Sequence, residues 1–219
     1  MSVWAVLVAA GRGDRLGEDR PKAFVRLGGL PLLAEPLRRL DASDWIDAVV
    51  VVAPPGWEEP AILLAEEIGA SKVTACVSGG ETRSASVRAG VAEVPEDAAV
   101  VLVHDAARPL LPPDLVQRLL EALAQGFDGA VPGLPVADTV KRVRDGVVVE
   151  TPPRDELVAV QTPQAFSAPV LRAAVAGEGS DCASLVEARG GRVAVVAGDE
   201  RLLKVTTRAD LDRVAGWLS

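Results

Sequence analysis

The sequence predicts an α/β fold, a Rossmann-like three-layer sandwich with a mostly parallel twisted sheet and a projecting β-hairpin arm. Three observations support this prediction. Short apolar runs rich in Val and Ala recur along the chain, segments of helical period separate most of them, and one segment breaks the alternation. Alternating strands and helices are typical of sheets covered by helices on both faces. The 219 residues, of which 49% are hydrophobic, are enough to bury a substantial core.

The strands are predicted from the apolar runs, because strands buried on both faces of a parallel sheet are nearly continuous in apolar residues. Turn-forming residues bound these runs. The predicted strands are residues 3–9, 48–53, 72–77, 100–104, 129–131 and 192–196.

The helices are predicted between and after the strands. The first follows a turn at Gly28-Gly29, the second ends at Gly69, and the fifth has Asp181 near its start. The last one carries apolar residues at helical spacing, as expected for a helix that packs on one face. The predicted helices are residues 32–40, 60–69, 83–94, 113–125, 180–189 and 208–218.

The segment 138–150 breaks the rhythm, because two β-prone runs flank Asp145-Gly146. An Asp-Gly pair between such runs is a strong hairpin signal. An isolated two-stranded ribbon is marginally stable, so we expect an arm at about residues 135–158 that finds a partner. The chain shows no repeat, low-complexity tract or linker, and a single domain over 1–219 is expected.

Composition excludes several classes of function. A net charge of -8 argues against non-specific nucleic-acid binding, which requires many Lys and Arg on phosphates. Cys76 and Cys182 have neither metal-ligand spacing nor the density of a secreted disulfide scaffold. No apolar stretch reaches the roughly 20 residues that span a bilayer, and no signal-peptide layout is found. We therefore expect a cytoplasmic protein that binds neither membrane nor nucleic acid.

A glycine-rich loop follows the first predicted strand. Gly11 and Gly13 tolerate positive φ angles and let backbone N–H groups approach an anion, and Arg15 and Lys22 add positive charge. Leu16 stands where the dinucleotide fingerprint requires a third glycine, and no Gly-Lys-Ser/Thr of a Walker A loop is present. The loop indicates a nucleotide site of another kind.

Ligand-type loops also follow the third and fourth strands, and ligands of open α/β sheets bind at that edge. The first of them contains Gly79-Gly80 and leads into a helix, whose N-terminal amides favour an anion. The second begins with His104-Asp105. A carboxylate there, with phosphates nearby, suits Mg²⁺.

Each of these features also has a simpler interpretation. Gly79-Gly80 alone predicts only a turn, and Asp105 could cap the following segment or pair with Arg108. His104 is the only histidine, so a Ser-His triad would depend on it, but its place at the end of an apolar strand favours a structural role. The G-x-S-x-G elbow of an α/β hydrolase is absent from the sequence.

The ordered motifs, taken together, identify a resemblance. The chain contains AAGRGDRLGEDRPK, GGETR, HDAARP, DTVK, QTPQAF, SDCASLVE and KVT. From residue 3 to about residue 211, their order and spacing resemble the 2-C-methyl-D-erythritol 4-phosphate cytidylyltransferases. Many nucleotidyltransferases of this fold share the first loop, whereas HDAARP, DTVK and QTPQ together point to this family.

The resemblance implies an Mg²⁺-dependent enzyme of the non-mevalonate isoprenoid pathway. It would join CTP to 2-C-methyl-D-erythritol 4-phosphate, and release pyrophosphate. Nucleotidyl transfer depends mainly on positioning and charge neutralisation, which agrees with the missing triad. The resemblance also implies that the arm reaches into the active site of a second subunit, so a homodimer is expected.

The resemblance assigns roles to residues of this chain. Catalytic residues are Arg15, Lys22 and Lys204. The nucleotide-binding residues are Ala9, Ala10, Gly11, Gly13, Gly79, Gly80, Glu81, Arg83, Ser86 and Ala106. Those that bind the methylerythritol phosphate are Thr139, Arg154, Thr162 and Asp181. Asp105 is the metal ligand, and Asp199 is a candidate for a second.

Some positions depart from the family pattern, and two other functions compete. Asp181-Cys182 stands where the family commonly has two acidic residues, and Glu81 replaces a common aspartate. One alternative is a cytidylyltransferase for ribitol 5-phosphate or another small molecule. The other is a nucleotide-binding protein without turnover, against which the retention of Lys22, Lys204 and Asp105 argues.

Overall fold

The structure is a computed structural model that describes residues 2–11, 13, 17, 19–177 and 179–218. Its strands are β1 Val3–Val8, β2 Arg26–Leu27, β3 Leu30–Pro31, β4 Ala48–Ala53, β5 Val73–Ser78, β6 Val100–Asp105, β7 Gly129–Pro135, β8 Arg142–Arg144, β9 Val147–Glu150, β10 Val158–Val160, β11 Gln164–Ser167 and β12 Val193–Ala197. Its helices are α1 Ala34–Asp41, α2 Glu58–Glu67, α3 Arg83–Ala92, α4 Leu115–Ala124, α5 Ala168–Ala174, α6 Cys182–Glu187 and α7 Arg208–Leu218. No helix in these ranges is long and apolar enough to cross a bilayer.

Within the part of the chain that the structure describes, the main sheet contains eight strands and is parallel around β1. β1 pairs in parallel with β4 and β6, and β5 pairs in parallel with β4. Beyond β6, β11 runs antiparallel between β6 and β7. Ala130 of β7 pairs with Ala165 of β11 and with Ala194 of β12, so β11 and β12 flank β7 on opposite sides. The mostly parallel sheet is confirmed, with an antiparallel insertion.

Helices cover both faces of the sheet, as the three-layer prediction requires. Val49 and Val51 belong to one core cluster, together with apolar residues of α1, α2 and α4. Val50 and Val52, which point to the other face, belong to a second cluster with residues of α3, α5 and α6. Full burial of one such side chain contributes about 1.5–3 kcal/mol. The apolar runs are therefore continuous because both faces of their strands are buried.

The predicted strands and helices are confirmed, with ends that shift by a few residues, but five elements were missed. These are the two-residue strands β2 and β3, the strands β10 and β11, and the short helix α5. Gln161, Thr162 and Pro163 interrupt the apolar pattern between β10 and β11, and prolines usually argue against a central strand. Because of this interruption, the sequence pattern did not reveal β11, the antiparallel strand that lies between β6 and β7.

The hairpin arm is present. β8 and β9 pair antiparallel, and Asp145 (φ 50°) and Gly146 (φ 78°) have the positive φ angles of a type I′ turn. Val143, Val147, Val148 and Val149 have between 51% and 65% of their surface exposed. Such a run of exposed valines gives the arm little apolar contact with its own chain.

Candidate active site

A cavity of about 860 Å³ opens at the carboxyl ends of β1, β4, β5 and β6. This is the edge at which open α/β sheets bind ligands, and the volume suits a small molecule the size of a nucleotide. The lining residues are Val8, Ala9, Ala10, Gly11, Gly13, Pro21, Lys22, Ala23, Leu32, Pro54, Pro55, Trp57, Gly79, Gly80, Glu81, Thr82, Arg83, Ser86, Asp105, Ala106, Ala107, Lys204 and Thr206.

Two glycines of this wall allow close backbone approach. Gly13 has φ of +76°, and a Cβ there would lie 2.5 Å from Cβ of Lys22. A Cβ on Gly79 would lie 2.2 Å from Cβ of Ala10. Any side chain at either place would push the first loop away from its neighbours, so glycine is required at both positions.

Lys22 lies at the start of a 3-10 turn, Lys22–Phe24, that follows Pro21. The ring of Phe24, which is buried, contacts the ring of Trp57, with centroids 4.6 Å apart. Such an aromatic pair contributes about 0.5–1.5 kcal/mol beyond its burial. Trp57 therefore supports the turn that places Lys22 on the cavity wall.

Asp105 is a buried carboxylate of the cavity wall and is only 7% exposed. Nη2 of Arg83 lies 2.9 Å from its Oδ1, and Nζ of Lys204 lies 2.8 Å from its Oδ2. Burial alone would raise the pKa of Asp105, but the charges of Arg83 and Lys204 outweigh it and hold that pKa well below the usual range. The carboxylate is thus ionised, and it pairs with these two cations rather than with Arg108.

His104 forms a buried chain of hydrogen bonds beside Asp105. Its Nδ1 lies 3.1 Å from Oγ1 of Thr162, and its Nε2 lies 3.0 Å from the carbonyl oxygen of Arg108. The backbone N–H of Asp105 donates to Oγ1 of Thr162 at 3.0 Å. Burial lowers the pKa of His104 to about 4, so the imidazole is neutral at pH 7. The structural role expected for this histidine is confirmed.

Cys182 contacts Arg83, whose Nη1 lies 3.8 Å from its Sγ, and Asp181 directly precedes Cys182. Asp181 caps α6 by accepting from Ser184 N at 2.9 Å, and it also accepts from Nε2 of Gln164 at 2.7 Å. Burial raises the pKa of Cys182 to about 11. The thiol is therefore protonated at pH 7 and unsuited to act as a nucleophile.

The two metal candidates differ in position. Asp105 faces the cavity, whereas Asp199 is absent from its wall and accepts a hydrogen bond from Arg201 N at 2.7 Å. The described ranges contain no group of three or more His, Cys, Asp and Glu that could hold a metal. One carboxylate is nevertheless a fitting donor set for Mg²⁺, which usually takes one or two protein carboxylates and completes its shell with phosphates and water.

The two arm residues lie at the base of the arm. Nη1 of Arg154 donates to the carbonyl oxygen of Ala137 at 2.8 Å, two residues before Thr139. Thr139 and Arg154 are both exposed, and neither lines the cavity. The structure brings these two residues near one another and leaves them outside the nucleotide cavity of their own chain.

The remaining predicted site residues differ in their position relative to the cavity. All ten predicted nucleotide-binding residues line the cavity, together with Lys22, Lys204 and Asp105. Thr162 and Asp181 lie behind the wall and do not line it. Arg15 falls outside the residues that the structure describes.

Sequence reasoning missed two supporting residues, Trp57 and Asp210. Asp210 Oδ2 accepts from Thr206 N (2.9 Å), Thr207 N (2.8 Å) and Thr207 Oγ1 (2.9 Å), and so shapes the loop after Lys204. Burial raises the pKa of Asp210, but the hydrogen bonds from Thr207 and Thr206 and the charge of Lys22 outweigh it and lower the pKa. Trp57 lies four residues after the end of β4, Ala48–Ala53, at the ligand-binding edge of the sheet. This position was the signal in the sequence that could have identified Trp57 as part of the site.

Comparisons with known proteins agree with this geometry. The family model described as "IspD: 2-C-methyl-D-erythritol 4-phosphate cytidylyltransferase" matches residues 3–218. A 2-C-methyl-D-erythritol 4-phosphate cytidylyltransferase of Nocardia farcinica is 49% identical over 213 residues, which cover 96% of this chain and 91% of that protein. One from Rhodococcus jostii is 48% identical and covers 95% of this chain and 92% of its own length.

Solved structures give the same result. The crystal structure of the cytidylyltransferase of that name from Thermus thermophilus is 36% identical, has a TM-score of 0.78 and covers 97% of each chain. A crystal structure of a 4-diphosphocytidyl-2C-methyl-D-erythritol synthase is 33% identical, has a TM-score of 0.84, and covers 100% of this chain and 99% of its own.

Proposed function

The chain belongs to the 2-C-methyl-D-erythritol 4-phosphate cytidylyltransferase family, and from this membership we propose how its residues carry out the reaction. It is a nucleotidyltransferase of the non-mevalonate isoprenoid pathway. It transfers the CMP moiety of CTP to 2-C-methyl-D-erythritol 4-phosphate, and the products are 4-diphosphocytidyl-2-C-methyl-D-erythritol and pyrophosphate. The observation that carries the residue assignments is the convergence of two glycine loops, Lys22, Lys204 and Asp105 on one cavity.

The glycine loops receive the nucleoside in this proposal. Ala9, Ala10, Gly79 and Gly80 are small, so the base and ribose can lie directly against backbone. Gly80 N donates to Oγ of Ser86 at 3.1 Å, which holds the second loop in place. Small side chains and fixed amides of this kind bind nucleotides with little reorganisation.

Two lysines bind the triphosphate, and one carboxylate is the ligand for its metal ion. Lys22 and Lys204 belong to segments far apart in sequence, so their charges reach the phosphates from different parts of the wall. Asp105 would hold Mg²⁺, which would supply charge neutralisation at the phosphates and make the α-phosphorus more electrophilic. Lys204 and Arg83, which pair with Asp105, place their charges beside this carboxylate, where they can contact phosphate oxygens.

The chemical step is an in-line displacement at the α-phosphorus. An oxygen of the acceptor's 4-phosphate forms the new P–O bond as the bond from the α-phosphorus to the bridging oxygen breaks, and pyrophosphate leaves with that electron pair. The acceptor oxygen is already ionised at pH 7, so no general base is needed. Lys22, Lys204 and Arg15 stabilise the charge on the five-coordinate phosphorus. Neither His104 nor Cys182 takes part directly.

The arm supplies the acceptor site and the dimer in this proposal. Thr139 and Arg154 of one subunit reach the cavity of the other subunit and bind the methylerythritol phosphate there. Asp181 and Thr162 support the cavity wall from behind. This explains why the two arm residues lie outside their own cavity, and why the valines of the arm are exposed. We also place the enzyme in the cytoplasm, a compartment in which the unpaired thiols of Cys76 and Cys182 stay reduced.

The function is tested by acceptor competition. Purified enzyme with CTP and Mg²⁺ is given methylerythritol phosphate or ribitol 5-phosphate at equal concentration, and pyrophosphate release is measured. Methylerythritol phosphate should be strongly preferred. Preference for ribitol 5-phosphate would overturn the acceptor and leave nucleotidyl transfer standing. Binding of CTP in calorimetry without product from any acceptor would favour a non-catalytic protein.

The arm can be tested by adding charge to its apolar surface. Val147 and Val149 of β9 are 65% and 51% exposed, so a charge at either position is added to the surface of the arm. We expect Val147→Asp with Val149→Asp to shift the dimer to monomers in light scattering. The kcat/KM for methylerythritol phosphate should fall by at least about tenfold, equal to 1.4 kcal/mol, with unchanged CTP affinity.

The matched control is Ile62→Asp, since Ile62 is an exposed apolar residue of α2, outside the arm. It should leave both the dimer and the activity as they are. A double variant that stays dimeric and fully active would exclude the arm from assembly.

A further inference from the structure

We propose that His104 is a positioning residue, whose imidazole orients the Thr162 hydroxyl and through it fixes the main chain of Asp105 at the edge of the cavity. The proposal rests on the proposed function only in that it takes Asp105 to act in the reaction. It assigns a role to a buried histidine that does not take part in the chemical step.

The contacts form one continuous chain within the core. His104 has no exposed surface, Thr162 is 5% exposed and Asp105 is 7% exposed, so water does not compete for these hydrogen bonds. Asp105 N to Thr162 Oγ1 is 3.0 Å, Thr162 Oγ1 to His104 Nδ1 is 3.1 Å, and His104 Nε2 to Arg108 O is 3.0 Å. Buried polar groups are costly unless each is paired.

The end groups fix the direction of the two outer hydrogen bonds, and a neutral imidazole fixes the direction of the middle one. The carbonyl oxygen of Arg108 can only accept, so His104 Nε2 carries the proton. The backbone N–H of Asp105 can only donate, so it uses a lone pair of Thr162 Oγ1. The hydroxyl proton of Thr162 then points at His104 Nδ1, which accepts it as the second nitrogen of a neutral imidazole. Thr162 Oγ1 accepts one hydrogen bond and donates another, and each of the other polar atoms takes part in one hydrogen bond of this chain.

The two ends of this chain are the two ends of one turn. Arg108 N donates to the carbonyl oxygen of Asp105 at 2.9 Å, and His104 therefore holds both residues of that turn. Val205 N donates to Ala107 O, inside the same turn, at 2.8 Å, so the segment that carries Lys204 is docked on it. A displaced turn would move the Asp105 carboxylate and Lys204 together.

Thr162 comes from the short segment between β10 and β11, where the antiparallel insertion joins the sheet. The segment thus places a hydroxyl behind the active-site carboxylate rather than toward a substrate. An error of about 1 Å in the position of a catalytic group can cost on the order of 10²-fold in rate. A network that fixes the backbone of Asp105 is therefore expected to act on kcat.

The first test removes or keeps the hydroxyl. Thr162→Val has the same shape without a hydroxyl and should lower kcat by about tenfold to a hundredfold, with little change in KM for CTP. Thr162→Ser keeps the hydroxyl and should stay within about twofold of the wild type. The matched control is Thr74→Val, because Thr74 Oγ1 donates to Val49 O at 3.4 Å in the sheet away from the cavity; its kcat should be unchanged.

A second pair of variants tests the histidine and does not depend on the first. The amide of Asn ends near the place of Nδ1 and that of Gln near Nε2, so His104→Asn can still accept from Thr162, whereas His104→Gln can only reach Arg108. We expect His104→Asn to keep more of kcat than His104→Gln. Thermal unfolding checks whether Thr162→Val is folded. If it is not, the comparison of kcat between His104→Asn and His104→Gln still tests the proposal.

The single histidine gives a readout that does not depend on turnover. In ¹⁵N NMR the wild type should show the Nε2–H tautomer, and Thr162→Val should shift the Nδ1 signal through loss of its hydrogen bond, whereas Thr162→Ser should not. An Nδ1–H tautomer in the wild type overturns the network. A shifted Nδ1 signal with full kcat overturns the positioning role. If another acceptor proves to be the substrate, the same variants are compared with that acceptor.

Discussion

Lys22→Ala is expected to lower kcat by about 10²–10³, which corresponds to roughly 3–4 kcal/mol of lost transition-state stabilisation. Lys22 lies on the cavity wall in a turn held by Phe24 and Trp57, so a packed segment holds its ammonium at the place where we propose that the phosphates bind. Negative charge on the oxygens around the reacting phosphorus changes in the transition state, and a fixed cation there is expected to stabilise the transition state more than it stabilises bound CTP. The rate of pyrophosphate release at saturating substrates measures the loss.

The chain offers a close control for this variant. Lys72 donates from Nζ to the carbonyl oxygen of Ser43 at 2.7 Å, and it does not line the cavity. Lys72→Ala removes the same charge and the same number of atoms, so it should leave kcat unchanged. Retention of full activity by Lys22→Ala, or an equal loss in both variants, would remove Lys22 from the catalytic residues.

Asp105→Asn should have an effect of similar size on kcat, because it removes the carboxylate that we propose as the metal ligand, which is also the counter-ion of Arg83 and Lys204. It should also lower the free energy of unfolding by roughly 2–4 kcal/mol at pH 7. The pKa of Asp105 is lowered in the folded protein, so its contribution to stability is fully present above the ordinary aspartate pKa of about 3.9. That contribution disappears as the pH falls through the lower folded value.

Urea unfolding across pH measures this contribution. The stability gap between the wild type and Asp105→Asn should be widest above about pH 5 and should narrow below about pH 3.9. Asp212→Asn is the control, because Asp212 forms an exposed pair with Nε of Arg208 at 3.3 Å, and such pairs contribute at most about 1 kcal/mol. A gap that keeps its width in acid would contradict the role of these ion pairs.

The sequence was sufficient to predict which loops meet at the ligand-binding edge of the sheet. Parallel strands buried on both faces give continuous apolar runs, and whatever follows such strands must meet at one edge of the sheet. Lys22, Gly79 and Asp105 could therefore be placed together although they are far apart in the chain. The type I′ hairpin was equally predictable, because Asp145-Gly146 is a local signal.

Other parts of the structure depend on contacts that no local pattern encodes. β11 pairs with β6 through residues about 65 positions apart, and its apolar run is too short and too close to Pro163 to identify it. Trp57 could have been a core residue as readily as a wall of the cavity. The partners of Asp105 were also not predictable, since Arg83, Arg108 and Lys204 were all candidate cations.

If the exposed arm binds substrate in the cavity of the neighbouring chain, this determines which subunit loses activity when one chain of a dimer carries a mutation. A defect in one arm would then be felt in the partner's cavity, while the chain that carries the defect keeps a working cavity as long as its partner is intact. In a cell that makes both kinds of chain, every mixed dimer would retain one functional centre. Damage to the arm would inactivate the centre of the partner chain, whereas loss of Lys22 would inactivate the centre of the chain that bears it.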